Sequence, residues 1–356
     1  MRGRLSAFLH AIGTAVPGHD VHPIFIAWAR QRLGGGREAA LFDRMAARAG
    51  IAHRWSVLSE ASDPTGPNGL YGADRWPGTA ARMDIYAHAA PALALRAISD
   101  LGDKVSLQGV THLVVASCTG FVAPGIDQII AARLNLPAST ERVLIGFMGC
   151  YAAVAALRTA RHIVRSDPAA QVLVVTVELS SLHLQETDDL EALLAMLQFG
   201  DGAAAALVSG EHGGIELGQP FATTLPDSAD LIRWTVTDHG FAMHLSGEVP
   251  GRIAAALADA NFALAITGGM PPSAVDAWAV HAGGRSILDA VERSLNLPED
   301  ALSASRAVLS DNGNMSSSTL MFVLARLLGR PIFGQGVALA FGPGLAAEGF
   351  RFASAA

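Results

Sequence analysis

Cys150 follows a glycine and stands between an apolar run at 143–147 and a segment of helical periodicity. Arg158, Arg161, His162 and Arg165 form a polar stripe at helical spacing, while Val154, Ala155, Leu157, Ile163 and Val164 fall mostly elsewhere. The spacing predicts a short buried strand, a turn carrying Cys150 and then a helix. The sulfur then lies beside free backbone N–H groups and the positive end of the helix dipole. That setting lowers a thiol pKa and presents the sulfur as a nucleophile. Alone, it leaves a packing thiol and a nucleophile as equal readings.

Partners for such a thiol exist elsewhere in the chain. His281 closes the apolar run Trp278-Ala279-Val280 and precedes Ala282-Gly283-Gly284, small residues that let a ligand approach the backbone. Asn314 lies in Gly313-Asn314-Met315-Ser316-Ser317, just before an apolar helix predicted over 320–328. Taken singly, the histidine reads as a satisfied strand-end side chain and the asparagine as a helix cap. Together with Cys150, each on a turn at the end of a strand or helix, they compose an acyl-transfer site. Cys118 also ends an apolar run, but the loop-like Phe121-Val122-Ala123-Pro124-Gly125 follows it, which assigns it a lining or packing role.

Positioning these residues needs an α/β framework, and short apolar strands do alternate with amphipathic helices for most of the length. Strands are predicted at 113–116, 143–147, 172–177 and 203–208. The helix after Cys150 stops near Ser166-Asp167-Pro168, and an acidic helix over 187–197 leads into Phe199-Gly200-Asp201-Gly202. Gly210-Glu211-His212-Gly213-Gly214 divides the chain into 1–210, with the cysteine, and 211–356, with the histidine and asparagine. After it the grammar returns: a strand ending at His281, then a helix with Ile287, Leu288, Val291 and Leu295 on one face. The pattern matches strand–His281–helix to strand–Cys150–helix. Residues 337–341, Gly342-Pro343-Gly344 and 345–352 read as a closing hairpin.

Composition excludes several classes. Of 356 residues, 51% are apolar and 16% charged, as in a compact globular chain. A net charge of -7 without a Lys/Arg run argues against a nucleic-acid partner. Two cysteines cannot build a disulfide framework and read as reduced, cytoplasmic thiols. Met1-Arg2-Gly3-Arg4 and the apolar run to Val16 resemble a short leader, but His10 interrupts the run and Pro17-Gly18 closes it, predicting a first strand and a turn. No apolar stretch reaches the roughly 20 residues of a membrane span, which argues against membrane insertion. The 12 histidines are scattered and no CxxC occurs, so no metal site is expected.

Over nearly its whole length the chain resembles the type III polyketide synthases, relatives of chalcone synthase with the thiolase-like fold. The resemblance is carried by Ala11-Ile12-Gly13-Thr14-Ala15-Val16-Pro17, Gly149-Cys150, Phe199-Gly200-Asp201-Gly202-Ala203-Ala204-Ala205, Val280-His281-Ala282-Gly283-Gly284, Gly313-Asn314-Met315-Ser316-Ser317 and Phe341-Gly342-Pro343-Gly344. It implies two similar α/β halves in a layered αβαβα core and a homodimer. It also implies an acyl-CoA starter and malonyl-CoA as substrates, and no cofactor beyond these thioesters. Carried over, it assigns Cys150, His281 and Asn314 as the catalytic set and Phe199 as the aromatic gatekeeper between the coenzyme A tunnel and the reaction cavity. Arg44 and Arg48 match basic positions that hold the coenzyme A phosphates, with Leu41 at a third. Gly283, Gly284 and Ser286 join them as coenzyme A or substrate contacts.

Departures from the family pattern fall on the cavity. Met243 stands at the second gatekeeper phenylalanine, and Trp234 stands where chalcone-type enzymes keep a glycine. The implied reaction loads a starter on Cys150 and extends it by iterative decarboxylative condensation with malonyl-CoA. Cyclisation then gives a pyrone, resorcinol or phloroglucinol-type product. The nearest alternative is a single-round ketoacyl synthase III-like enzyme fed by an acyl carrier protein.

Overall fold

The computed structural model describes residues 6–58, 63–72, 76–330 and 333–355, so the charged start Met1-Arg2-Gly3-Arg4 lies outside the described residues. The chain runs β1 (Phe8–Ala15), β2 (His19–Asp20), α1 (His22–Leu33), α2 (Arg37–Arg48), β3 (Trp55–Ser56), α3 (Thr79–Gly102), β4 (His112–Ser117), α4 (Ile126–Arg133) and β5 (Glu141–Gly146). A single 3-10 turn, Gly149–Tyr151, leads into α5 (Ala152–Ser166), β6 (Val172–Leu179), α6 (Leu190–Met196) and β7 (Asp201–Ser209). Next come β8 (Ile215–Thr224), β9 (Ile232–Thr237), β10 (Gly240–Leu245), α7 (Val249–Ala258), α8 (Ala260–Thr267) and β11 (Ala277–Val280). The chain closes with α9 (Arg285–Ser294), α10 (Ser303–Asn312), α11 (Ser317–Leu328), β12 (Gly336–Gly342) and β13 (Ala346–Ser354).

Two sheets of one design result. The first has the order β5-β4-β6-β7-β1, with β4 parallel to β5 and β6 and with β7 antiparallel to both its neighbours. The second has the order β11-β12-β13-β8, with β11 parallel to β12 and with β13 antiparallel to both its neighbours. They abut where Phe8 and Leu9 of β1 meet Glu216 and Ile215 of β8, giving nine strands in one continuous sheet. Rank for rank, β1, β4, β6 and β7 correspond to β8, β11, β12 and β13.

Alternation along the strands explains the layers. Val172 and Val174 face a core shared with Val154, Leu157 and Val164 of α5, Leu320, Val323 and Leu324 of α11, and Ala279, Ala338 and Ala340 of the second sheet. Leu173 and Val175 face the other way, against Leu93, Ala97 and Leu101 of α3. On the far side, Ile253 and Leu257 of α7 and Leu288 and Val291 of α9 cover Trp278, Val280, Val337 and Leu339. Helix, sheet, paired helices, sheet, helix: this is the layered αβαβα core of the thiolase-like fold. Because α5 and α11 are covered on both sides, cutting a side chain such as Leu157 to alanine costs about 2–5 kcal/mol.

Several expectations change. The run at 143–147 is not a buried strand: β5 forms the sheet edge, its residues are largely exposed, and Phe147 lies beyond it at φ +57°. The acidic helix shortens to α6, because the Asp189 carboxylate accepts from the Ala192 N–H and caps it there. Part of the polar stripe of α5 turns inward: Arg158 pairs with Glu348 at 2.8 Å and Arg161 donates to the Leu217 carbonyl at 2.8 Å, while His162 is exposed. The pairing of strand–His281 with strand–Cys150 also fails. Strand rank matches β11–His281 with β4–Cys118, and it matches α5, headed by Cys150, with α11, headed by Asn314.

Candidate active site

The two central helices start on strained backbone. Before α5, Phe147 has φ +57° and Gly149 φ +74°; before α11, Gly313 has φ +67° and Ser316 φ +47°. Side chains other than glycine rarely hold such angles, and they concentrate where a structure over-determines a site. At Gly149 the reason is visible: a Cβ there would lie 2.5 Å from Pro343 of the closing hairpin. The packed glycine sets Cys150, buried, at the head of α5.

Asn314 is fixed from every side. Its N–H donates to the Gln198 carbonyl (2.8 Å) and its carbonyl accepts from the Gly200 N–H (3.0 Å), so it bridges the backbone on both sides of Phe199. The side-chain oxygen accepts from the Ser316 N–H at 2.8 Å, which turns the amide nitrogen outward to donate to the Gly283 carbonyl at 3.3 Å. It also hydrogen-bonds the Cys150 thiol, an interaction that favours the thiolate. Gly283 packs on the imidazole, since a Cβ there would lie 3.4 Å from His281 Nε2. The His281 backbone is anchored by its N–H on the Leu339 carbonyl at 2.8 Å, yet both ring nitrogens are buried without a partner. A buried imidazole with no partner is an uncommon arrangement and marks a place for a reacting group.

Electrostatics differ from the expectation for the thiol. Burial pushes Cys150 up to about 11 and His281 down to about 3. The helix terminus is real, but a dry site penalises each charge on its own more than the dipole favours it. Passing the proton from thiol to imidazole creates an ion pair without changing net charge.

Two residues that the sequence reading passed over complete the site. Ser316 Oγ stands between the cysteines, 3.2 Å from Cys118 Sγ and 3.8 Å from Cys150 Sγ. Glu178 is a buried carboxylate on β6 that accepts from the Cys118 N–H (3.0 Å), the Thr119 hydroxyl (2.8 Å), the Cys118 thiol (3.3 Å) and the Ser317 hydroxyl. Burial raises it to about 7. Its signal was legible: Glu178 directly follows the strand predicted at 172–177 and is the one acid in Val172–Leu179. Burial and the Glu178 charge hold the Cys118 thiol well above the ordinary cysteine value, which suits a packing residue.

Residues 1–212 match the N-terminal domain of the chalcone and stilbene synthases, and residues 216–356 match their C-terminal domain. The chain belongs to this family. The chain is thus a type III polyketide synthase, an acyltransferase. It is 36% identical over 286 residues, 76% of its length and 72% of theirs, to the alpha-pyrone synthesis polyketide synthase-like Pks18 of Mycobacterium tuberculosis and of Mycobacterium bovis. Among solved structures it resembles PKS-I from the brown alga Ectocarpus siliculosus, at TM-score 0.89 and 28% identity over 99% of this chain and 100% of that one. The type III domain of Steely1 from Dictyostelium shares the fold, at TM-score 0.88 and 24% identity over 99% of this chain and 100% of that one.

In this synthase the β9–β10 hairpin carries Trp234 directly opposite Met243. The Trp234 indole donates to the Cys118 carbonyl at 3.0 Å and meets His183 edge-on at 5.6 Å, Phe241 at 6.0 Å and Phe199 at 6.5 Å. Phe241 in turn stacks on His183 at 4.2 Å. Phe199, Trp234 and Met243 line a cavity with about 800 Å³ of empty space, part of it open to solvent, that reaches Phe25 and Met196. Cys150, His281 and Asn314 are not among its walls. Arg54 holds this region by donating to the Phe199 carbonyl at 2.8 Å and the Met196 carbonyl at 3.1 Å.

Arg44 and Arg48 lie exposed on α2, and the Arg285 guanidinium at the start of α9 donates to the Arg48 carbonyl at 3.3 Å. Gly284 precedes α9 and Ser286 is exposed in its first turn. Among the described residues, no group of three metal-ligating side chains occurs, and no single helix is long and apolar enough to cross a membrane.

Proposed function

We propose that Cys150 carries the growing acyl chain, that His281 moves the proton, and that His281 and Asn314 together stabilise the malonyl-derived enolate. The observation that carries this reading is the buried His281 ring, unpartnered at both nitrogens, beside an Asn314 amide whose direction its own neighbours fix. In the first step the Cys150 thiol gives its proton to His281 and attacks the starter thioester; the imidazolium returns the proton to departing coenzyme A. Malonyl-CoA then enters and loses carbon dioxide, leaving an enolate. Hydrogen bonds from His281 and the Asn314 amide nitrogen stabilise its oxygen. The enolate carbon attacks the Cys150 thioester, the lengthened chain leaves on coenzyme A, and reloading on Cys150 starts the next round. Decarboxylation supplies the carbanion, so these residues need no organic cofactor.

Phe199 and Met243 act as gatekeepers, and Trp234 narrows the cavity. A narrow wall favours few extensions and closure to an α-pyrone, in keeping with the name of the mycobacterial relatives. Residues 1–210 supply the cysteine and 211–356 the histidine and asparagine. Arg44 and Arg48 hold the coenzyme A phosphates, with Gly283, Gly284 and Ser286 along the thioester's path. The exposed edge strand β5, with Val143 and Leu144, and the nearby Phe121 (55% exposed) and Phe147 (40%) support a homodimer closed at this edge. Two free, buried thiols fit a reducing, cytoplasmic setting. Intact-protein mass spectrometry after incubation with acyl-CoA tests the central assignment: the adduct is expected on Cys150, and an adduct on Cys118 overturns it.

A further inference from the structure

Leu41 leaves the coenzyme A phosphate site one cation short, and the structure offers a replacement from another element. Arg44 and Arg48 stand one turn apart on the exposed face of α2, and neither has an acidic partner among the described residues. Arg285, the first residue of α9, reaches across to the end of α2. Its guanidinium donates to the Arg48 carbonyl at 3.3 Å, and its stem passes Gly50, where a Cβ would sit 3.8 Å from Arg285 Cδ. The nearest acid, Asp289, lies 3.6 Å from Arg285 Nε but is held more closely by Arg306 at 2.8 Å. Arg285 is thus only loosely paired and stands half exposed beside Arg48.

We propose that Arg285 is a third phosphate-binding residue of the coenzyme A site, supplied by α9 in place of a basic residue at position 41. The inference rests on the reading that Arg44 and Arg48 receive the phosphates. A guanidinium offers several donors in a planar fork matched to phosphate oxygens. Its anchor on the Arg48 carbonyl holds the fork at the end of α2 before substrate arrives. The site is thereby built from both halves of the chain, and Arg285 lies four residues from His281.

The test compares malonyl-CoA with malonyl-N-acetylcysteamine, which carries the same thioester and no phosphates. For Arg285→Ala, the KM for malonyl-CoA should rise about threefold to tenfold, while that for the cysteamine thioester moves less than twofold. The malonyl-CoA effect should shrink in high salt, and Arg285→Lys should recover part of it. A KM that rises equally for both substrates overturns the proposal, because Arg285 would then only staple α9 to α2. If Arg44→Ala and Arg48→Ala raise KM for malonyl-CoA alone and Arg285→Ala raises neither, Arg285 is excluded and the α2 site stands. If none of the three separates the two substrates, the α2 phosphate site itself is wrong.

Discussion

Cys118 and His281 occupy matching places, each directly after a strand of the same rank in its half, yet their surroundings are opposite. Cys118 is tied down by Glu178 through both its N–H and its thiol, by Ser316, and by Trp234 on its carbonyl. His281 has its backbone anchored and its ring left without a partner. The same contrast holds between Cys150 and Asn314 at the heads of α5 and α11: the thiol is held loosely, with Ser316 Oγ 3.8 Å away, while the amide is fixed on both main chain and side chain. A duplicated frame has thus been given sulfur in one half and nitrogen in the other. Cys118 is satisfied and holds shape, the Asn314 amide is held in one direction, and the His281 ring is left free.

The strongest way to break this comparison is to exchange roles between the halves. Cys150→Ala should show no acyl adduct by mass spectrometry, whereas Cys118→Ala should load normally; the reverse pattern would invert the assignment. Asn314→Ala should load at the normal rate but release carbon dioxide from labelled malonyl-CoA about 100- to 1000-fold more slowly, the usual cost of losing one donor to a developing oxyanion. Equal loss in both steps would show that the two halves do not divide the work.

The proton partnership has its own signature. Burial holds the native Cys150 thiol up at about 11; in His281→Gln, with no imidazole to take the proton, iodoacetamide alkylation of Cys150 should rise about tenfold per pH unit from pH 7 to 10. The native protein should react much faster than the variant at pH 7. Indistinguishable profiles would remove His281 from the pair.

Glu178 gives a smaller, thermodynamic test of the satisfied side. Its pKa is raised from 4.5 to about 7 on folding, so the folded chain holds this proton more tightly than the unfolded one. That contribution to stability is present below about pH 4.5 and is lost as pH rises through about 7. Relative to Glu178→Gln, the native protein should therefore lose about 3 kcal/mol between pH 4 and 8, read from denaturant unfolding. A constant difference across that range would mean that folding leaves the Glu178 pKa where it is in the unfolded chain. The smallest expected effect is on the cavity wall: Trp234→Gly should lengthen or redistribute the products while leaving starter loading on Cys150 unchanged. An unaltered product profile would show that Trp234 does not limit chain length.

Much of this was legible in the chain. Short apolar runs and helical stripes announced the α/β grammar, and turns at strand or helix ends singled out Cys150, His281 and Asn314. Glu178 was also there to be read, as the acid directly after the strand predicted at 172–177. Ser316 was not, since a serine before a helix reads as a cap until the fold brings it between two cysteines. Three matters only tertiary structure decided. Edge and centre of a sheet look alike in a run such as Val143–Leu144–Ile145, because exposure depends on which strand lies alongside. The correspondence of halves follows strand rank, which sequence order conceals when crossovers intervene. The thiol pKa depends on how much water the folded site excludes, so the helix terminus before Cys150 pointed one way and burial decided the other. The sequence by itself determined the α/β grammar and the turns on which Cys150, His281 and Asn314 sit; the packing of two sheets around α5 and α11 decided that Asn314 comes beside both the Cys150 thiol and the Gly283 carbonyl, and how dry that place is.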